Sequence, residues 1–338
     1  MRLMKKVAKQ TNPDLLAKKL FDAWEARHRG GPAILYHYTA ADGLLGLLQS
    51  HQIWATNVRF MNDRSELDYG INLVCRVFEE DEFVGKLPPK DKPAFTKIKK
   101  TIRLMLDDVE KKTTHFAICF CEKENLLSQW RGYGQSGSGF ALGFQTERLN
   151  EFVAEPCPGS NIRPEQSVPV ILRRVIYDDY AQKDFVRSCI RAIVKSIQFD
   201  RNVKRPAQTE WLNTPLGIVV VRLLYECLVC FKHPGFYEEE EWRLIQQGRV
   251  GDQDVTRVDF RTRSGRIVSY TPLTFRSAAD ARPRQGRDPN ALPIVAITYG
   301  PTLDPGGSER ALRAFLVSRR YDADRIVIRP SGIPFTTQ

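Results

Sequence analysis

Apolar positions recur with helical spacing over residues 13–27, where Leu15, Leu16, Leu20, Phe21 and Trp24 mark one face of an amphipathic helix. Gly30, Gly31 and Pro32 end it. The period then shortens: Ile34-Leu35-Tyr36-His37-Tyr38 is a run of β-formers. Residues 39–42, Thr39 to Asp42, have the form of a capping box, and Leu44, Leu45, Leu47 and Leu48 follow. The pattern therefore predicts a strand, a capped helix of about three turns and a second strand at Ile53-Trp54-Ala55-Thr56. Asn62-Asp63 predicts a turn, and residues 65–80 a helix with Leu67, Ile71, Val74 and Val77 inward. A surface loop over 85–93 precedes a basic helix over 94–111.

From there strands dominate. They are expected over 115–121, 140–144 and 173–177, with a short helical turn at 125–130 and a glycine-rich run over 132–139 between the first two. Helices are expected over 180–200 and 214–230. Residues 257–270 read as a hairpin turning at Ser264-Gly265, and 276–292 as a loop rich in Arg, Pro, Asp and Gly. A strand (294–299), a helix (308–318) and a strand (326–330) complete the pattern. The order is that of an α+β protein rather than a regular βαβ alternation. There is no internal repeat and no sharp break in composition. The expected organisation is a helical extension over 1–30 and one elaborated α+β domain over 31–338.

Composition narrows the class. With 338 residues, 42% apolar and 27% charged, the chain can bury a full core without staples, which excludes a disordered or disulfide-framework protein. The seven scattered cysteines suggest reduced thiols. Cys119-x-Cys121 and Cys227-x-x-Cys230 could be combined into a four-thiolate zinc site, but both pairs lie in apolar runs where cysteine packs as a small hydrophobe, so no metal is expected. The basic N-terminus lacks an apolar signal core. The longest apolar stretch, 217–231, is broken by Arg222 and Glu226 and is shorter than the roughly 20 residues a membrane span needs. The expectation is a soluble cytoplasmic protein with no membrane partner. The net charge of +11 is uneven. Arg261, Arg263, Arg266, Arg276, Arg282, Arg284 and Arg287 fall in one stretch with a single acid, Asp280. A basic loop over 261–287 could meet the phosphates of an RNA or DNA acceptor, or be a solvated surface.

Three groups of residues could carry chemistry. His37 sits in an apolar strand between two tyrosines, so its ring needs a partner: a core neighbour or a ligand. Glu239, Glu241 and Arg243 would share one face if their segment is a strand, as a polar cleft or an exposed acidic edge. Gln129-Trp130-Arg131-Gly132-Tyr133-Gly134 offers rings to stack on a planar group and an arginine for an anion, or a plain hairpin loop.

Leu35-Tyr36-His37-Tyr38-Thr39, the Gly-Leu-Leu helix and Ile53-Trp54-Ala55-Thr56 resemble the opening of an uncharacterised bacterial domain family. Asn62-Asp63 with Glu66, the Leu126 to Gly134 segment, and Phe236 with Glu239, Glu241, Trp242 and Arg243 match its later motifs in order. More distantly, a strand–helix–strand opening with a histidine before threonine is similar to ADP-ribosyltransferase-like domains. That resemblance implies a split β-sheet core, NAD as substrate, and a toxin or phage-defence setting. It implies that His37 holds the ribose and that Glu241, in Glu239-x-Glu241, stabilises the charge that develops on it. Trp130 or Tyr133 would stack on the nicotinamide, Arg131 or Arg243 would pair with the pyrophosphate, and Tyr38, Thr39, Asn62 and Asp63 would line the site. No Ser-Thr-Ser strand like that of arginine-modifying members is present, so the acceptor stays open between nucleic acid, protein and water. The rival reading is a non-enzymatic nucleic-acid- or protein-binding module on the same scaffold.

Overall fold

A computed structural model describes residues 12–61, 65–80, 82–112, 115–134, 138–157, 168–202, 211–246, 256–263, 265–276, 288, 291–300 and 305–333. In chain order the first elements are α1 (Pro13–Arg27), β1 (Ile34–Thr39), α2 (Ala41–Ser50), β2 (Gln52–Asn57), α3 (Ser65–Glu80), α4 (Glu82–Gly85) and α5 (Lys92–Lys112). Next come β3 (Phe116–Cys121), α6 (Leu127–Tyr133), β4 (Phe140–Gln145), β5 (Phe152–Ala154), β6 (Val168–Arg174), α7 (Asp179–Asn202) and α8 (Pro215–Cys230). The last are β7 (Glu241–Gln246), β8 (Asp259–Arg263), β9 (Arg266–Phe275), β10 (Ile294–Tyr299), α9 (Pro305–Ser318) and β11 (Val327–Pro330). The class is α+β. The chain divides into two compact units, each assembled from separated segments.

The first unit takes Met1–Arg29, Asn62–Thr113 and Val175–Phe236. Its described regular elements are helices. α1 starts on Asn12, whose side chain accepts the Asp14 N–H at 2.9 Å, and α8 on Thr214, whose hydroxyl accepts from Gly217 at 3.0 Å. The core packs Trp24, Phe185, Cys189, Leu223, Cys227 and Phe231, all fully buried. Several of its polar groups are paired inside the core. The Trp24 indole donates to Glu226 at 2.6 Å, and Arg222 pairs with the same carboxylate at 3.2 Å. Lys232 pairs with Glu66 at 2.7 Å.

The second unit takes Gly30–Met61, Thr114–Arg174 and Tyr237–Gln338 and holds every described strand. β3, β2, β9, β5, β6 and β7 pair in succession, and β7 returns to β3, closing a six-stranded ring. β1, β4, β10 and β11 extend from β3 as a four-stranded wing, and β8 hangs on β9. The apolar core joins the two: Leu35 and Phe144 from the wing, Phe116, Phe120, Trp242 and Leu273 from the ring, and Leu44 and Leu48 from α2.

Three local expectations need correction. Thr39 ends β1 instead of capping α2; the cap is Ala40, with no side-chain hydrogen bond. The Thr39 hydroxyl lies over Gly43, where a Cβ would meet it at 2.1 Å, so the glycine is needed for contact rather than flexibility. The strand expected over 173–177 lies at Val168–Arg174, and Ile176 forms only an isolated bridge with Phe231. The strand carrying Glu241 begins at Glu241 itself. Glu239 ends a 3₁₀ turn, and Glu240 takes a positive φ of 42° that breaks the alternation.

Candidate functional site

β3 is the pivot of the second unit. One edge pairs with β7 along its whole length. The other edge is shared: β2 takes Phe116 and Ala117, and β1 takes Cys121. β1 and β2 both run antiparallel to β3 and are joined by α2. Between their contacts, at Cys119, neither strand pairs, so the edge forks.

His37 occupies this fork. Its Nδ1 lies 2.9 Å from the Cys119 carbonyl oxygen. A carbonyl can only accept, so Nδ1 carries the proton and Nε2 is left with a lone pair. The ring tilts against Phe120 at 5.9 Å. Burial pushes its pKa down to about 4, and the charges of Arg261 and Arg263 push the same way, against the Cys119 bond. His37 is therefore a neutral acceptor at pH 7. Nε2 has no hydrogen-bond partner among the described residues.

Beyond the fork, β2, β9 and β8 form a polar wall. Thr56 opposes Tyr270, and Trp54 opposes Pro272, so these side chains share a face. Asp259 opposes Tyr270 from β8, which puts Arg261 on the same side. The Arg261 guanidinium lies over the rings of Trp54 (5.2 Å) and Tyr270 (5.6 Å), and Nη2 donates to Thr56 Oγ1 at 2.8 Å. Trp54 is seated against α2 at Gly46, where a Cβ would fall 2.1 Å from the ring.

Glu241 lies one strand further, across β3. Tyr36, Cys121 and Glu241 form one cross-strand row and share a face. His37 leaves β1 on the other side of the pleat. The Glu241 carboxylate faces back along its own strand and takes both Nε and Nη2 of Arg243, at 2.8 and 2.9 Å. Both residues are buried, as is Arg173, which opposes Arg243 from β6. The pair is bidentate and closed.

The remaining candidates divide sharply. Trp130 is buried, donates its indole N–H to Asn125 at 2.8 Å and packs edge-on to Tyr38 at 5.1 Å; with Tyr36, Cys121 and Ala141 it forms a small core. Tyr133 packs against that core, and Arg131 is exposed. The Tyr38 hydroxyl donates to the Lys123 carbonyl and accepts from the Leu126 N–H, both at 2.9 Å, and burial raises its pKa. These residues fasten α6 to β1. Thr39 is partly buried beside Gly43. Glu239 lies on its 3₁₀ turn, off the face of Glu241 and Arg243. Asn62, Asp63 and residues 277–287 of the basic stretch lie outside the described residues. Arg261, expected in a basic stretch that is either phosphate-facing or solvated, is turned onto two rings. Its position follows from a signal present in the hairpin: Arg261 and Arg263 alternate with Phe260 and Thr262, so one face gathers the cations.

Among the described residues no group of three or more His, Cys, Asp or Glu is placed to hold a metal, and no helix is long and apolar enough to cross a membrane. No curated protein and no solved structure matches the chain. The profile of a family described as a protein of unknown function (DUF2971) matches residues 129–244, a stretch that begins within α6, holds the Phe236 to Arg243 motif and takes in the later part of the Leu126 to Gly134 motif.

Proposed function

We propose that this protein is an ADP-ribosyltransferase-like protein that binds NAD⁺ in the fork beside His37. The observation that carries the reading is the state of the imidazole: Nδ1–H is held by the Cys119 carbonyl, burial keeps the ring neutral, and Nε2 offers a lone pair. A neutral ring of fixed tautomer suits a ribose hydroxyl, which donates to it without proton transfer. Cleavage of the nicotinamide–ribose bond sends the bonding electron pair to nicotinamide and leaves an oxocarbenium-like sugar, which a carboxylate stabilises. Glu241, the carboxylate the resemblance offers, leaves the sheet on the face opposite His37 and is held by Arg243, so the fork beside His37 has no assigned carboxylate among the described residues. Nucleic acid, protein or water would then take the ADP-ribose, in a toxin or phage-defence setting.

The closed Glu241–Arg243 pair favours a second reading, a binding module without turnover, because a carboxylate satisfied by a bidentate arginine has little left for a developing cation. Incubation with NAD⁺ labelled in its adenine, with lysate and with nucleic acid as acceptors, decides between them. Nicotinamide release lost in His37→Ala supports the transferase reading. Calorimetric binding of NAD⁺ without release supports the module. Neither binding nor release overturns both.

A further inference from the structure

Arg261 is an arginine without an acid. Among the described residues no carboxylate pairs with it, one N–H goes to Thr56, and its Nε–H is buried with no acceptor. The charge that bears on it is another cation, Arg263. Burial draws its pKa down to about 10, and Arg263 adds to that shift. A half-buried guanidinium with one orphaned buried donor is costly to keep, since that donor has given up water and gained no acceptor. Stacking on Trp54 and Tyr270 offsets part of that cost and fixes the plane of the fork of donors. Arg243, by contrast, has spent its fork on Glu241.

We propose that Arg261 is the recognition residue for a phosphate or diphosphate group of the molecule that enters the fork. The planar guanidinium matches the oxygens of a phosphate ester in a bidentate way that a lysine would not. Thr56 and the two rings hold it in place. His37 lies within electrostatic reach and presents an acceptor, so the fork offers donors for a phosphate beside an acceptor for a sugar hydroxyl. The anion site stands on Arg261 alone; only the sugar assignment rests on the NAD⁺ reading.

The test is calorimetric titration of the full chain with inorganic pyrophosphate, ADP-ribose and nicotinamide riboside, the last carrying no phosphate. Arg261→Met keeps the stacked volume and removes the donors. It is expected to weaken pyrophosphate and ADP-ribose binding by about 10–100-fold, the loss of one charge-assisted contact of about 1.5–3 kcal/mol. Arg310→Met on the exposed face of α9 removes the same net charge and is expected to leave binding unchanged. Equal losses in both variants, or unaltered binding in Arg261→Met, overturn the site. So does wild-type protein that takes up neither phosphate-bearing probe. Pyrophosphate binding that depends on Arg261, in a protein that neither binds nor cleaves NAD⁺, keeps the anion site and discards the NAD⁺ reading.

Discussion

Arg243 and Arg261 belong to one sheet, the first buried and the second half-buried, yet they are solved in opposite ways. Arg243 is met along its own strand by Glu241, two residues away, with both donors of its fork used. Arg261 reaches across β9 to Thr56 and rests on two rings, with a buried N–H unmet. The first arrangement is complete without any other molecule. The second is complete only when an anion arrives. A buried charge that is paired is weak evidence for function, because structure alone explains it; a buried charge left wanting calls for a ligand. The contrast moves the weight of the candidate site from Glu241, where sequence resemblance puts it, toward the fork at His37.

Breaking the closed pair should have the largest effect. Glu241→Ala takes the bidentate carboxylate from Arg243, which is buried beside Arg173, and should cost about 3–5 kcal/mol of stability. Urea unfolding would register this as a lower midpoint at unchanged slope. Replacing both partners together, Glu241→Leu with Arg243→Met, should recover most of the loss. A single variant costing under about 1 kcal/mol would mean that the pair is not desolvated as the structure has it. Alanine at 241 is thus a test of folding, and Glu241→Gln, which keeps the shape, is the variant that tests chemistry.

The next effect is in pH. Burial holds His37 and His115 at about 4, below the ordinary 6.5, with Arg261 and Arg263 adding to the first and Arg59 to the second. The unfolded chain therefore binds more protons than the folded one between those values, and stability should fall as pH is lowered from 6.5 to 4. His37→Gln should flatten that slope and leave the share of His115. Because the Arg261 charge helps hold the His37 pKa down, Arg261→Met should move the His37 titration, followed by imidazole NMR, back toward the ordinary value. An unmoved titration would separate the two residues.

Much of this frame is legible from pattern. The β1–α2–β2 opening follows from a β-rich run, a leucine-dense helix and glycine stops, and the β8–β9 hairpin from Ser264-Gly265. What pattern does not carry is the partner of each polar group. Glu239, Glu241 and Arg243 read as one alternating face because nothing in four consecutive acids marks the positive φ at Glu240. Trp130 beside glycines reads as a stacking wall, whereas its neighbour in space is Tyr38, far away in sequence. The fork depends on β3 sharing one edge between two strands, a property of register. Arg261 meets Thr56 over a separation of 205 residues. Its inward turn is implied by the period of the hairpin but not by the charge of the run around it.

The smallest effect separates the two arginines most cleanly. Arg261→Met forfeits cation–π contact with Trp54 and Tyr270, worth about 0.5–2 kcal/mol in all. It also removes an unmet buried N–H, a relief of about 1–3 kcal/mol, and a like-charge neighbour in Arg263. The methionine keeps apolar contact with both rings. The opposing contributions leave a net change within about 1 kcal/mol of zero in ligand-free protein. Pyrophosphate at saturating concentration should then stabilise the wild type and not the variant, since only the former has the donors that bind it. A ligand-free loss above about 2 kcal/mol would place Arg261 in the same class as Arg243, an arginine held by its own chain, and the asymmetry between the two would vanish.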